Sequence, residues 1–171
     1  ITPDRKKVIS FGGPAYWYGP GILVKTGNPD GIKSFDDLKG KQIGAIAGSA
    51  ADEYPRKIGA DVVPFQTDAE QFSAVSTGRV SAIVDDDTKI SLFLGSTKDG
   101  AMELLKGIAV PQELIFTYGY GYVRPGLRKE DCSLRAAISQ GLSEARGNGN
   151  VLALLKKYGF SEANLFFFPL K

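Results

Sequence analysis

The sequence predicts an α/β fold built on an open sheet, on three observations. Residues 22–117 alternate short β-rich runs with helix-like segments, the pattern of strands joined by covering helices. The string Thr67-Asp-Ala-Glu70 stands before the apolar positions Ala69, Phe72 and Val75, with Gly78 beyond, and so both starts and stops a helix. After Tyr122 the period changes. Leu134, Ala137, Ile138, Gly141, Leu142 and Ala145 recur at helical spacing and lay one apolar face along a long helix.

The opening residues, 1–20, supply a basic turn at Arg5-Lys6-Lys7 and one short extended run. Residues 22–25 read as a strand. Ser34 is placed to cap a short helix that Gly40 ends, because a hydroxyl satisfies first-turn amides and glycine tolerates the left-handed exit. Gln42–Ile46 and Asp61–Phe65 read as further strands, the first apolar enough to be buried. Residues 80–84 read as a buried strand that ends in Asp85, Asp86 and Asp87. A carboxylate run at the C-terminal edge of a strand lies where open α/β sheets place their ligands. The amphipathic helix begins at Asp131 and breaks at residues 147–149; a second runs over about 151–158 and closes at Gly159.

The chain has 171 residues, 43% hydrophobic and 23% charged, with a net charge of +2. That is a globular profile without a strongly charged partner, and nucleic acid is not expected. Histidine is absent, which removes the commonest general base and metal ligand. No catalytic set, metal set or cofactor is expected, and neither G-x-x-x-x-G-K-[ST] nor G-x-G-x-x-G occurs. Cys132 is the single cysteine, so no internal disulfide is expected, and a partly buried thiol is. No apolar run reaches the roughly twenty residues of a membrane span.

Several strings, in one order along the chain, carry a resemblance: Ile-Thr-Pro-Asp-Arg-Lys-Lys-Val-Ile-Ser-Phe11, then Ile32-Lys-Ser-Phe-Asp-Asp-Leu-Lys-Gly40, Ile43-Gly-Ala-Ile-Ala-Gly-Ser-Ala-Ala-Asp-Glu-Tyr54, Gly78-Arg-Val-Ser-Ala-Ile-Val-Asp-Asp86 and Gly126-Leu-Arg-Lys-Glu-Asp131. Together they resemble the periplasmic (type II) solute-binding proteins of amino-acid ABC transporters, family 3. The resemblance implies a type II periplasmic-binding-protein fold, a two-lobed clamp with open mixed sheets. In such proteins lobe one takes roughly the first ninety residues plus the C-terminal helices, a usual domain size. The expected division is therefore 1–18 as partial lobe one and first crossing, 19–118 as lobe two, and 119–171 as second crossing and closing part of lobe one. On this reading the chain is a fragment, with the N-terminal part of lobe one absent. The crossings fall near residues 15–19 and 119–123.

The same resemblance implies the site. Arg5 matches the arginine that grips a ligand's α-carboxylate, a task for which its planar fork of donors is suited; without the resemblance it reads more readily as a solvated member of a basic run. Gly48 and Ser49 follow a buried strand and open a helix, where amides and a hydroxyl attract an anion, although Ser49 also reads as an ordinary N-cap. Ser49 and Ala50 match positions holding the same carboxylate, with Ala50 standing where many members carry threonine. Pro55 implies a helix that starts late or kinks.

Asp86 matches the aspartate that receives the ligand's α-ammonium, while Asp87 and Thr88 can cap the following helix. Asp85 matches a position that faces the ligand side chain in some relatives, and Ile46 and Trp17 complete the expected contacts. Tyr16, Tyr18, Tyr118, Tyr120 and Tyr122 read either as cleft aromatics or as packing between hinge strands. Phe166, Phe167 and Phe168 read as a tail docked on the core, and Gly119 and Gly121 read either as hinge residues or as marks of close strand packing.

The expected function is the binding of a small zwitterion, such as an amino acid, by clamshell closure, and its delivery to the membrane permease of an ABC importer. The expected compartment is the periplasm, or a lipid anchor outside the cell in a Gram-positive source, with a signal peptide in the precursor. The fragment could pair with the absent N-terminal segment or with a second copy. The alternative is an enzyme on the same scaffold, resembling cyclohexadienyl dehydratases, which needs a poised acid. Asp85 and Glu113 are the candidates.

Overall fold

A computed structural model describes residues 3–97 and 100–165. Phe166, Phe167 and Phe168 lie outside the described residues. In chain order the elements are α1 (Pro3–Val8), β1 (Ser10–Phe11), β2 (Trp17–Tyr18), β3 (Pro20–Lys25), β4 (Gln42–Ile46), α2 (Ala50–Lys57), β5 (Asp61–Phe65), α3 (Asp68–Ser76) and β6 (Ala82–Asp86). Then follow α4 (Asp87–Thr97), β7 (Met102–Leu104), α5 (Gln112–Phe116), β8 (Gly121–Tyr122), β9 (Gly126–Leu127), α6 (Cys132–Gly147) and α7 (Asn150–Lys157). They form two compact units, Gly19–Leu114 and Ile1–Tyr18 with Ile115–Lys171.

The Gly19–Leu114 unit is built on one mixed sheet of strand order β5-β4-β6-β3-β7. The strands β5, β4 and β6 run parallel, and β3 is antiparallel to both β6 and β7. From β4, α2 leads outward to β5 and α3 leads back past β4 to β6. Right-handed crossovers of opposite direction place these two helices on opposite faces of the sheet.

Leu23, Phe65, Phe72, Val75, Ile83 and Ile90 pack together on the α3 and α4 face. Gly44 serves that face by its size, since a Cβ there would lie 2.9 Å from both Ile83 and Phe65. On the other face Ile32, Phe35 and Leu38 are buried, and the Phe35 ring meets Tyr54 of α2 edge-on at 6.1 Å. Each such aliphatic or aromatic side chain taken fully from water contributes roughly 1.5–3 kcal/mol.

Several local expectations change. Ser34 does not cap a helix: residues Asp36–Leu38 form a single 3₁₀ turn, and the Ser34 hydroxyl donates to Asp37 at 2.9 Å. That carboxylate also takes the Lys33 amide, and these bonds lower its pKa. The strand expected at 80–84 begins at Ala82 and runs through Asp85 and Asp86. Val80 is instead tied to Ala74 at the end of α3. The capping box is present as expected, with Thr67 accepting from the Glu70 amide and Glu70 accepting from the Thr67 amide. Pro55 lies inside α2 without delaying it. The helix starts directly after Ser49 and forgoes the bond that a Pro55 amide would have made.

In the other unit, β1 pairs with β9 and β2 with β8, both antiparallel. The two stretches expected as crossings therefore pair with each other, Trp17 opposite Tyr122. Tyr18 and Tyr120 pack at 5.6 Å between ring centroids, which favours the packing reading of these aromatics. The expected apolar face of α6 is only half realised: Leu134, Ala137 and Gly141 are exposed, and Ile138, Leu142 and Ala145 are half-buried. The helix meets the ribbon through polar groups. Ser139 accepts from the Gly13 amide at 2.9 Å, and Arg146 donates to Pro14 and Leu165 carbonyls while covering the Tyr122 ring. Cys132 is exposed at the start of α6, not partly buried.

Candidate functional site

The C-terminal edge of the parallel strands gathers most of the expected site residues. From β4 the chain turns through Gly48, whose φ of +70° suits glycine, into Ser49 at the N-cap of α2. Ser49 Oγ accepts from the Asp52 amide at 3.2 Å, so the hydroxyl caps the helix and still carries its own proton to donate. Asp52 folds back, accepting from the Gly48 amide at 2.9 Å and from Arg56 at 2.6 Å. The Gly48 amide, expected to point at a ligand, is thus spent within the turn. The first-turn amides of Ala50 and Ala51 have no intrahelical acceptor, and they point where an anion is favoured.

Beside β4, β6 runs parallel with Ile43 opposite Ala82 and Gly44 opposite Ile83. Carried on, that register brings Ala47, just before the Gly48 turn, level with Asp86. Side chains alternate along a strand. Gly44 and Ile83 face the α3 core, so Asp86 lies on the α2 side of the sheet and Asp85 on the opposite side.

Among the described residues, no hydrogen bond or ion pair reaches the half-buried Asp86 carboxylate. Burial, with Asp85 adding repulsion, pushes its pKa up to about 6. Asp87 opens α4 and accepts from the Gly19 amide at 3.1 Å. Burial raises it also to about 6, although amides of Gly19 and Thr88 oppose the rise.

Asp85 is committed elsewhere. It is buried; one oxygen accepts from Lys89 Nζ at 2.9 Å and from the Asp86 amide at 2.8 Å, and the other accepts from Gln71 Nε2. Lys89 also reaches Asp68 at 3.1 Å, and Gln71 Nε2 donates to Asp68 at 3.2 Å. Burial acts to lower the Lys89 pKa, but the two carboxylates prevail and raise it. Gln71 is wholly buried, and its Oε1 has no partner among the described residues. An unmet buried acceptor costs about 1–3 kcal/mol, tolerated here because the carboxylates dictate which end of the amide faces them.

The structure thus ties Asp85 to Lys89 and Gln71, with Asp68 bonded to both, three residues that the sequence did not single out. The available signals were the four-residue spacing of Asp85 to Lys89 and the three-residue spacing of Asp68 to Gln71.

The remaining expected residues are placed as follows. Ile46, half-buried, ends β4 opposite Phe65. Glu113, the second candidate acid, is ion-paired with Lys57. In the other unit Arg5 is exposed on α1, and Trp17 is half-buried on β2 with its carbonyl accepting from Asn164 at 3.3 Å. No helix among the described residues is long and apolar enough to cross a membrane, and no cluster of metal-binding side chains is found among them.

With this geometry in place, comparison with known proteins gives a consistent result. The profile of the bacterial extracellular solute-binding proteins, family 3, matches residues 1–162. The chain is 30% identical over 162 residues to the lysine/arginine/ornithine-binding periplasmic protein of Escherichia coli, covering 92% of this chain and 61% of that one. It is 31% identical over 160 residues to the L-cystine-binding protein TcyJ of Escherichia coli, covering 92% and 56%.

Among solved structures, an ancestral arginine-binding protein bound to arginine matches with a TM-score of 0.68 and 29% identity, covering 92% of this chain and 67% of that one. The second substrate-binding domain of Lactococcus lactis GlnP matches with a TM-score of 0.68 and 27% identity, covering 92% and 65%. The chain thus spans about 60% of the length of the curated relatives it matches.

Proposed function

We propose that this chain, which belongs to the bacterial extracellular solute-binding proteins, family 3, binds a free amino acid or similar zwitterion, with Asp86 receiving its ammonium group. The carrying observation is that Asp86 is a half-buried carboxylate without a partner among the described residues. A carboxylate taken from water needs a cation to offset the cost, and a ligand ammonium supplies one. The register of β4 and β6 supports the other half of the recognition. Anion-seeking amides and the Ser49 hydroxyl open α2 beside the strand end that carries Asp86, so one edge offers complements to both charges of a zwitterion.

On this reading Ser49, Ala50 and Arg5 hold the ligand carboxylate, the last as a bidentate donor. Gly48 contributes shape to the turn, while Ile46 and Trp17 supply apolar contact. Contacts made only when the clamp is closed favour the closed state. The closed form is what the importer's membrane permease takes up, outside the cytoplasm. The names of the relatives, binders of basic amino acids and of cystine, support the ligand class. The enzyme alternative finds little support, because the two candidate acids, Asp85 and Glu113, are both engaged in ion pairs with lysines.

Calorimetry of the protein at its full natural length against a panel of amino acids tests this. One or more should bind without being consumed, and Asp86→Ala or Arg5→Ala should cost about 2–5 kcal/mol of affinity, the usual loss when one member of a buried charge pair is removed. Binding undiminished by Asp86→Ala, or turnover of a panel member, overturns the reading.

A further inference from the structure

We propose that Asp85 and Lys89 act as a positioning pair for Asp86, holding its backbone in place and setting the charge that the ligand meets. This rests on the reading of Asp86 as the ammonium acceptor. The geometry is a relay of three contacts: Lys89 Nζ lies 2.9 Å from Asp85 Oδ1, and the same oxygen accepts from the Asp86 amide at 2.8 Å. The second Asp85 oxygen is held by the buried amide of Gln71, so the carboxylate cannot turn away. Asp85 lies on the opposite face of the sheet from Asp86 and reaches it through the backbone.

The electrostatic half follows from counting charges around the strand end. Asp85, Asp87 and Asp68 are carboxylates and raise the pKa of Asp86, while Lys89 lowers it. On α2, which packs on the Asp86 side, Asp52 and Arg56 neutralise one another, and Glu70 of α3 is occupied by the amides of Gln66 and Thr67. Pro20, opposite Asp86 in β3, carries no charge. Lys89 is thus the cation that opposes the repulsion of Asp85 and favours an ionised Asp86.

The consequence is opposite in sign for the two members. Lys89→Met leaves Asp85 uncompensated, so the midpoint for ionisation of Asp86, and the pH below which ligand affinity falls, should rise by about half a pH unit or more. Asp85→Asn keeps an acceptor for the Asp86 amide but removes the like charge, so both midpoints should fall. Lys89→Arg preserves the charge and should leave them near the parent value. A pair with only a packing role would weaken binding or folding without moving these midpoints in opposite senses.

The experiment is a site-resolved NMR titration of the Asp86 carboxyl carbon in the protein at full natural length. It is run beside the pH dependence of affinity for the amino acid that binds best. Opposed shifts in Lys89→Met and Asp85→Asn support the pair; unmoved or parallel shifts overturn it. Should Asp85→Asn not fold, the contrast between Lys89→Met, shifted, and Lys89→Arg, unshifted, decides the matter. The carboxyl titration needs no ligand, so failure of the ammonium-acceptor reading shows separately, as absence of binding by the parent protein with the opposed shifts intact.

Discussion

The sheet of the Gly19–Leu114 unit and helix α6 carry comparably clear apolar patterns, yet they differ completely in burial. Leu23, Ile43, Ala45, Ile83 and Val84 are all essentially inaccessible, whereas none of the sixteen residues of α6 is buried and Leu134 is half exposed. The pattern in the sheet is answered by helices on both faces. Among the described residues the pattern in α6 is answered only in part, by α7 and by polar anchors at Gly13 and Pro14 between β1 and β2. Periodicity states that an element has an apolar face; it does not state what covers that face.

Three measurements sharpen this comparison, from the largest expected effect to the smallest. Ile83→Ala removes a wholly buried side chain from the centre of the sheet, and should cost about 2–5 kcal/mol in denaturant unfolding. Ile138→Ala in half-buried α6 should cost well under half of that. Similar losses at the two positions would break the contrast.

The second measurement is the pH dependence of stability without ligand. The pKa values of Asp86 and Asp87 are raised from 3.8 to about 6 in the folded chain, so the folded state binds more protons than the unfolded one across that window. Stability should therefore fall as pH rises from about 4 to 6.5, by on the order of 1–2 kcal/mol once screening of these partly exposed groups is allowed for. Bound amino acid should reverse the trend, because it favours the ionised Asp86. A stability that rises through the window instead would contradict the burial that raises both carboxylates.

The third contrast is between helix starts. Thr67→Ala removes a full capping box and should cost about 1 kcal/mol. Asp131 makes no capping hydrogen bond to α6, and Asp131→Ala should cost only what its ion pair with Arg128 supplies, a few tenths of a kcal/mol for an exposed pair. Equal losses would mean that α6 is nucleated in the same way as α3.

Much of the fold was legible because its signals are local. The capping box at Thr67, the strand runs 42–46 and 61–65 and the break between α6 and α7 each lie within a few residues, and each is where the pattern places it. Ser34 misled because its hydroxyl found a carboxylate, Asp37, within the turn. The start of β6 misled because Val80, apolar enough for a strand, is needed to seal the end of α3.

The site divides in the same way. That a carboxylate run stands at the end of a buried strand and that Ser49 caps a helix followed from the sequence alone, since strand period and N-cap preference are properties of neighbouring residues. That Asp86 lacks a partner among the described residues while its neighbour Asp85 has three was decided by the tertiary structure. Alternation sends adjacent side chains to opposite faces of the sheet, and only the packing of α3 and α4 determines that Gln71 and Lys89 wait on one of them.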